Sequence, residues 1–485
     1  MSGGERLYPW LEAARERMIG LQRLLTSVPA LAPENRGEGE ARKAEALGAW
    51  LEEAGLGPVR NYPSSDPRVP GGERPNLMVR LPGPGGDVVP GHAGVGHAGP
   101  VRETGVGHAG PGNAGPVREA GPGHEAGPVR EAGPVRETGV AHETGPGGDH
   151  ASGAASRPAA GRSFWVMSHL DVVPPGDPAK WESDPYQLVE RGGRLYGRGT
   201  EDNQQGMVSS IFALLALKEA GVIPPRDVKL LFVADEEVGS THGIQALLRD
   251  HAGLFGKGDT FLVPDGGRPD GSMIEVAEKS LLWLRFTVQG RQVHASMPHL
   301  GVNAFLAGSD LVVRLGRGLP EAFPERDPIF EPPFSTFCPT KKEANVPNVN
   351  TIPGLDVFCL DSRILPSRPV DEVLGEIDRI CRAVESDHGV RVSREILQRN
   401  SSVPTRGDCP LVLGLKKAVQ KVYGVPAEVM GIGGGTVGAY LRNAGYDTAI
   451  WCTLDETAHM PNEYCVVNNM VNDAKVMLEL MLAGV

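Results

Sequence analysis

The stretch VKLLFVADEEVGS at residues 228–240 joins an apolar run to three consecutive acids at positions 235–237. Residues 228–234 are apolar apart from Lys229, and a run this short and this apolar predicts a strand buried on both faces. In open α/β sheets, functional residues gather just beyond the carboxyl ends of such strands. The stretch therefore predicts an α/β sheet with acidic side chains at one edge.

The same pattern occurs at two other places in the chain. Residues 163–167 (SFWVM) lead into a segment that contains His169 and Asp171, and residues 260–263 (TFLV) lead into Asp265. Because the carboxyl ends of parallel strands meet at one edge of a sheet, we expect these His, Asp and Glu side chains to lie close together.

Strand and helix signals alternate along most of the chain, which predicts a mixed, mostly parallel sheet with helices on both faces. From about residue 284 the pattern changes to an α+β unit close to the ferredoxin-like order β-α-β-β-α-β. The α/β pattern returns after residue 400. We therefore expect a catalytic domain in two parts, 1–283 and 400–485, interrupted by a smaller domain at 284–399.

Residues 84–161 differ from the rest in composition. Gly-Pro-Val-Arg-Glu recurs at positions 99, 115, 127 and 133, and the segment contains no aromatic residue. Such a segment buries too little apolar surface to offset the entropy of ordering it, so we expect a disordered, low-complexity insertion between two strands. A metal-collecting role for its histidines is the alternative to a passive repeat expansion.

Composition excludes several classes of function. A net charge of −12 argues against nucleic acid or an anionic membrane as a partner. The sequence has no apolar run of about 18 residues and no signal-peptide pattern at its N-terminus. Its six cysteines are scattered without a C-x-x-C pair, which is typical of reduced thiols. We expect a cytoplasmic protein.

Five side chains at the ends of the predicted elements are of metal-binding types. A single acid after a strand is more often a turn former or a helix cap, and a lone histidine is more often an ordinary hydrogen-bonded residue. Two imidazoles and three carboxylates together suit a pair of zinc ions that share one bridging aspartate and leave a position open for water. The candidate ligands are His169, Asp202, Glu237, Asp265 and His459.

Local spacing suggests roles for two neighbouring acids. Asp171 is two residues from His169 on an extended chain, so both point the same way and Asp171 can orient a ligand. Glu236 and Glu237 are adjacent and should point in opposite senses. One of them can then bind a metal ion while the other stays free as a base.

These motifs resemble the co-catalytic zinc amidohydrolases and peptidases: acetylornithine deacetylase, succinyl-diaminopimelate desuccinylase, aminoacylase, carboxypeptidase G and related dipeptidases. The resemblance covers nearly the whole chain outside residues 84–161. It implies a zinc-exopeptidase-like fold in which the inserted unit is a lid and dimerisation domain, and hence a homodimer. The matching motifs are SHLDVVP at 168–174, GRG at 197–199 with Asp202, DEEVGS at 235–240, DGG at 265–267 and HMPNE at 459–463.

The resemblance also implies two Zn²⁺ ions per subunit, for which Co²⁺ or Mn²⁺ can substitute. Asp202 is implied to bridge the ions and to form a cis peptide bond with Asn203. The implied terminal ligands are His169 and Asp265 for one ion, and Glu237 and His459 for the other.

Catalytic and substrate-binding residues are implied in the same way. Glu236 would be the general base, taking a proton from metal-bound water and passing it to the leaving amine, and Asp171 would orient a ligand histidine. In the smaller domain, His294 would stabilise the tetrahedral oxyanion, Asn350 would contact substrate, and Arg363 would clamp a substrate carboxylate. The alternatives are a turn-capping role for His294 and a surface salt bridge for Arg363.

A glycine-rich loop at 431–436 is open to two interpretations. Gly433, Gly435 and Gly438 match G-x-G-x-x-G, which alone suggests a dinucleotide site. Too little chain follows for a nucleotide-binding half, so we expect Gly435 and Thr436 to bring backbone N–H groups to substrate, as in the resembling family.

One departure from that family follows the implied bridging aspartate. Relatives usually carry Lys-Gly shortly after it, whereas Gln205 precedes Gly206 here. This difference leaves the subfamily open.

The function that these patterns favour is hydrolysis of an amide next to a free carboxylate, with metal-bound water as the nucleophile. The first hypothesis is an N-acyl amino acid deacylase of the desuccinylase or deacetylase type. The second is a dipeptidase or carboxypeptidase with the same machinery. A third, an inactive binding homologue, is disfavoured because all five ligands and the base are present.

The composition of the insertion generates a first prediction. Replacing residues 88–160 with a short Gly-Ser link should leave the melting temperature and turnover nearly unchanged, because loop-closure entropy grows slowly with length. Thermal unfolding and steady-state kinetics measure both quantities. A fall in either beyond experimental scatter would mean that the repeat docks on the enzyme.

Overall fold

A computed structural model describes residues 4–85 and 162–485. The predicted disorder of residues 84–161 therefore lies outside the described residues, apart from its first two positions. No helix in the described part is both long and apolar enough to cross a membrane.

The strands of the described residues are numbered in chain order. They are β1 (Arg60–Asn61), β2 (Ser64–Ser65), β3 (Glu73–Arg74), β4 (Leu77–Leu81), β5 (Ser163–His169), β6 (Val189–Arg191), β7 (Arg194–Tyr196), β8 (Asp227–Val233), β9 (Thr260–Gly267), β10 (Met273–Glu278), β11 (Ser280–Gln289), β12 (Val293–His294), β13 (Thr336–Lys342), β14 (Thr351–Ile352), β15 (Leu355–Ile364), β16 (Arg391–Asn400), β17 (Glu428–Ile432), β18 (Asp447–Cys452) and β19 (Tyr464–Val466).

The α-helices of the same residues are numbered in the same way. They are α1 (Tyr8–Ala13), α2 (Arg15–Ser27), α3 (Ala41–Glu53), α4 (Gly206–Glu219), α5 (Ile244–Asp250), α6 (Ala304–Ala322), α7 (Val370–His388), α8 (Pro410–Tyr423), α9 (Gly438–Asn443) and α10 (Val467–Ala483).

The larger sheet has eight strands in the order β1-β4-β8-β5-β9-β18-β10-β17. Strands β8, β5, β9 and β18 are parallel neighbours, and β10 is parallel to β17. The pairs β1–β4, β4–β8 and β10–β18 are antiparallel. The mixed, mostly parallel sheet expected from the sequence is confirmed.

Alternate residues of β5 show how this sheet is covered. Phe164 and Val166 pack into a core that contains residues of α1–α4, α8 and α10. Trp165 and Met167 pack on the opposite face with residues of α5 and α9. Every residue of β5 is buried, which explains why residues 164–167 are all apolar and do not alternate with polar ones.

A second sheet has the order β13-β15-β11-β16, with all three pairs antiparallel. Together with α6 and α7 this gives the chain order β-α-β-β-α-β, the ferredoxin-like arrangement expected from the sequence. This sheet and its two helices are called the second unit below. Its core is separate from that of the larger sheet and contains Phe286, Leu311, Phe358 and Ile377. The domain bounds 284–399 stay a prediction, although β11 begins at Ser280 and β16 ends at Asn400.

Some elements differ from those expected. The apolar spacing of residues 5–25 predicts one helical segment, but the structure has two helices there, α1 and α2, separated at Ala14. Strand β13 was missed because it is an edge strand with an exposed, lysine-containing sequence, and Pro339 sits in it where its register with β15 shifts. The sequence predicts a helix over residues 303–315, but α6 continues to Ala322 and has Pro320 in its last turn.

The topology brings the loops that carry the candidate ligands to one edge. Four parallel neighbours, β8, β5, β9 and β18, end at the same side of the sheet. His169 ends β5, Glu237 follows β8, Asp265 lies near the end of β9, and His459 follows β18.

Candidate metal centre and active site

The structure brings the five candidate ligands together in two groups that share Asp202. In the first group, Asp202, His169 and Asp265 have ligand atoms that all lie within 4.8 Å of one another. Asp202 Oδ1 lies 2.9 Å and Asp265 Oδ1 lies 3.6 Å from His169 Nε2. Each carboxylate is thus within reach of an ion held by this histidine.

The second group contains Asp202, Glu237 and His459, again with ligand atoms within 4.8 Å of one another. His459 Nε2 lies 3.1 Å from Asp202 Oδ2 and 3.1 Å from Glu237 Oε2. The two oxygens of Asp202 therefore face different histidines, which is the arrangement a bridging carboxylate needs. The cis peptide bond between Asp202 and Asn203 is present.

Hydrogen bonds orient the ring of His169. Its Nδ1 lies 3.0 Å from the carbonyl oxygen of Asp171, which can only accept, so Nδ1 carries the proton. Nε2 then faces Asp202 and Asp265 and is the nitrogen that a metal ion would bind in place of a proton. The backbone of Asp171 makes this contact, while its carboxylate lies 3.6 Å from Nδ1.

The carboxylate of Asp171 instead holds the acidic loop after β8. Its two oxygens accept hydrogen bonds from the backbone amides of Glu236 at 3.1 Å and Glu237 at 3.0 Å. Asp171 thereby links the loop that carries His169 to the loop that carries both glutamates.

The side chains of Glu236 and Glu237 have different surroundings, as expected, but an extended backbone is not the reason. They lie in a single 3-10 turn, Glu236–Val238, and not on an extended chain. Glu237 joins His459, whereas Glu236 lines a cavity of about 200 Å³. Burial, together with the charge of Asp265, raises the pKa of Glu236 well above its usual range. A carboxyl group in such a setting is suited to accept and return a proton.

The far side of this cavity is formed by the glycine-rich loop. Gly435 and Thr436 line it, as does Tyr440. The backbone amide and hydroxyl of Thr436 donate to Glu278 at 2.8 and 2.6 Å. The amide of Thr436 is therefore engaged within the protein, so its expected contact with substrate stays a prediction.

Arg363 reaches this loop from the second sheet. Its guanidinium donates to the carboxylate of Asp361, at 2.8 and 3.1 Å, and to the carbonyl oxygen of Gly433 at 2.8 Å. The surface salt bridge considered from the sequence is thus present, with an added contact to the loop. Its expected role in clamping a substrate carboxylate stays a prediction.

His294 lies in β12, which forms a small two-stranded sheet with β14, and Asn350 immediately precedes β14. The amide of Ala295 donates to the carbonyl oxygen of Asn350 at 2.8 Å. Ser296 donates its amide to His294 Nδ1, and its hydroxyl lies 2.7 Å from the same nitrogen. Within the described residues, no hydrogen bond or ion pair joins His294 to either metal-binding group.

Sequence reasoning missed Glu463 and Arg198 as supports of the centre. Glu463 accepts hydrogen bonds from the backbone amides of Gly199, Glu201 and Asp202 at 2.9, 2.9 and 3.1 Å. Arg198 donates to it at 2.6 Å in a buried ion pair. Both residues stand inside motifs quoted from the sequence, but sequence alone did not show that they pair across 265 positions.

Gln205 stands near the position where relatives usually carry lysine. Its side-chain amide donates to the carbonyl oxygen of Thr453 at 2.6 Å and to Asp473 at 2.9 Å. Asp473 is completely buried and also accepts from Tyr423 at 2.7 Å. Gln205 therefore belongs to a buried polar network that ties the loop of Asp202 to α10.

Comparison with known proteins agrees with this fold and site. Residues 165–483 match the sequence model described as peptidase family M20/M25/M40. An uncharacterized metallohydrolase of Methanocaldococcus jannaschii is 38% identical over 330 residues, which cover 66% of this chain and 80% of the relative. A succinyl-diaminopimelate desuccinylase of Alkalilimnicola ehrlichii is 28% identical over 317 residues, covering 64% and 80%.

A solved structure, the aminopeptidase PepT from Bacillus cereus, superposes with a TM-score of 0.67 at 16% identity and covers 97% of this chain and 98% of that one. At this identity the likeness concerns the fold. The fold and the site define a metallohydrolase that acts on amide bonds. The chain belongs to the M20/M25/M40 peptidase family, whose enzymes bind a dinuclear metal site.

The electrostatics of His459 predict that metal binding releases protons. Hydrogen bonds to Asp202 and Glu237 raise the pKa of His459 to about 10 in the metal-free protein, so the ring is protonated at neutral pH. A metal ion requires the neutral ring, so Zn²⁺ binding should displace this proton, and the apparent affinity should rise with pH between about 6 and 9. Calorimetry in buffers of different ionisation enthalpy measures both.

His388→Ala is the matched control, because His388 lies 2.8 Å from Asp310 in the second unit, outside the site. It should release as many protons as the wild type, whereas His459→Ala should release fewer. Equal release from all three proteins would contradict the assignment.

Proposed function

We propose that this chain is a two-zinc amidohydrolase that removes the acyl group from an N-acyl amino acid, as desuccinylases and deacetylases do. The observation that carries the proposal is the pair of His–carboxylate groups sharing Asp202, next to a cavity that Glu236 lines. Two imidazoles and three carboxylates form a nitrogen and oxygen donor set that zinc accepts. When bound, the two ions would polarise the scissile carbonyl and lower the pKa of water.

Glu236 is the general base of the proposed reaction. It takes a proton from the attacking water and later delivers it to the leaving amine, so that the carboxylate is regenerated at the end of each cycle. Glu237 is held by His459 and takes no part in this transfer. The raised pKa of Glu236 favours the first of these steps, the uptake of a proton from water.

Residues of the second unit bind and orient substrate in this proposal. Arg363 supplies a planar guanidinium for the free carboxylate, and its hydrogen bond to Asp361 orients it. His294 donates from Nε2 to the developing oxyanion, since Nδ1 is engaged by Ser296. Asn350, whose carbonyl oxygen accepts from the amide of Ala295 next to His294, contacts substrate.

A dipeptidase or carboxypeptidase is the second candidate, because the same centre hydrolyses a peptide bond next to a free carboxylate equally well. An inactive binding homologue is disfavoured by the presence of both metal-binding groups and Glu236. Discrimination between acyl groups rests on pocket contacts that are worth only about 1–3 kcal/mol per methylene.

A hydrolysis screen of the zinc-loaded enzyme tests the proposal. Its panel contains N-succinyl, N-acetyl and N-aminoacyl amino acids, and the proposal expects turnover of the first two classes above the third. Preferential cleavage of N-aminoacyl substrates would establish the dipeptidase instead. No hydrolysis of any panel member would overturn both.

Glu236→Gln tests the base. The amide keeps the shape but removes the basicity, so turnover should fall by roughly 10²–10⁴-fold while the number of bound metal ions stays that of the wild type. The exposed Glu190 provides a matched control, and Glu190→Gln should behave as wild type. Loss of a metal equivalent from Glu236→Gln would reverse the roles of Glu236 and Glu237.

A homodimer built through the second unit, acting as a lid, completes the proposal. His294 is exposed; it pairs with Thr351 of β14, and its ring contacts the nearby Ser296. Exposed apolar side chains flank it, including Met297 at 44% and Leu300 at 49% exposure. In such a dimer His294 reaches the site of the neighbouring subunit when the lid closes.

Complementation tests this arrangement. Mixing inactive His294→Ala with inactive Glu236→Gln protein, under conditions of subunit exchange, should restore activity, because a mixed dimer has one site with both wild-type residues. Labelled subunits verify the exchange. A mixture that exchanges subunits and stays inactive would show that His294 acts in its own chain or that the protein is not this kind of dimer.

A further inference from the structure

Arg74 is a buried arginine that precedes the residues matched by the family's sequence model, and it contacts the loop that carries Glu236. Arg74 is 0% exposed, and so is its partner Glu40. Its Nε donates to Glu40 at 2.9 Å, Nη2 donates to the other oxygen of the same carboxylate, and Nη1 donates to Asp235 at 2.7 Å. The guanidinium thus joins α3 to the first residue of the acidic loop.

Asp235 needs such support because of its backbone conformation. It has φ 67° and ψ 20°, in the left-handed region that non-glycine residues seldom occupy. Such a conformation persists only where surrounding contacts hold it. One carboxylate oxygen accepts from Arg74, and the other accepts from the amide of His242 at 2.9 Å. The side chain of Asp235 therefore fixes the turn that directs Glu236.

Asn76, two residues further along, ties both ends of the same loop. Its side-chain oxygen accepts from the amide of Ala234 at 3.1 Å, and its side-chain nitrogen donates to the carbonyl oxygen of His242 at 3.0 Å. Asp171 holds the middle of the loop from the opposite side. Arg74, Asn76 and Asp171 together hold the loop at both ends and in its middle.

We propose that Arg74 is a positioning residue for catalysis, which fixes Asp235 and thereby places the carboxylate of Glu236 at the cavity. The inference rests on the proposed role of Glu236 as the base. Arg74 and Glu40 lie in the N-terminal segment, before residue 165, where the match to the family's sequence model begins.

Arg74→Lys is the first test. Lysine keeps the positive charge but lacks the planar fork that reaches Glu40 and Asp235 at once. We expect kcat to fall by roughly 10- to 10²-fold, as a base displaced by about 1 Å would produce, with KM and bound metal unchanged. Arg80→Lys is the matched control, since Arg80 lies on the neighbouring strand β4 and pairs with Asp227 at 2.8 Å. It should keep wild-type kcat.

A double variant separates positioning from general stability. If Arg74 acts through Glu236, adding Arg74→Lys to Glu236→Gln should lower kcat little beyond Glu236→Gln alone, because the base is already gone. Multiplicative losses, or a fall only in melting temperature or metal content, would overturn the proposal. Wild-type turnover of Glu236→Gln itself would instead overturn the proposed function.

Asp235→Asn keeps the test decisive if Arg74→Lys does not fold. The amide retains the size of the side chain but removes the charge that Arg74 binds. The same loss of kcat at unchanged KM supports the proposal, and a folded Asp235→Asn protein with wild-type kcat refutes it.

Discussion

The carboxylate of Asp202 lies between two histidines, and the rest of the centre depends on its staying there. Its oxygens are 2.9 Å from His169 Nε2 and 3.1 Å from His459 Nε2. Asp265 and Glu237 add two further carboxylates, each with an oxygen within 4.8 Å of an oxygen of Asp202. Like charges about 4 Å apart repel by about 4 kcal/mol at an effective dielectric constant near 20, so this cluster requires cations. Protonated histidines meet that requirement in the metal-free protein, and metal ions meet it better.

Three buried arginines support the loops around this cluster. Arg74, Arg198 and Arg442 are 0%, 2% and 3% exposed, and each pairs with carboxylates from other parts of the chain. Arg198 supports the loop of Asp202, Arg74 that of Glu236, and Arg442, through Glu278, that of Thr436. Removing one partner of a buried ion pair costs about 3–5 kcal/mol, so these loops resist displacement.

The sequence predicted the buried strands and the residues at their ends, but it did not predict the contacts between residues that are distant along the chain. Apolar runs that end in His, Asp or Glu predicted both the sheet and the residues at its edge, because burial on two faces constrains composition directly. The edge strand β13 carries no such constraint and was missed. The pairing of Arg198 with Glu463 and of Arg74 with Asp235 spans 265 and 161 positions. Nothing in one sequence shows which buried arginine meets which acid.

The position of β18 in the larger sheet has a consequence for how the protein is made. This strand lies between β9 and β10, yet β11–β17 separate it from both of them along the chain. On the ribosome, the second unit can therefore fold while the larger sheet still has a gap. His459 emerges after β18, so a nascent chain holds an incomplete ligand set until the sheet closes. The group of Asp202, Glu237 and His459 is thus complete only after β18 has been made.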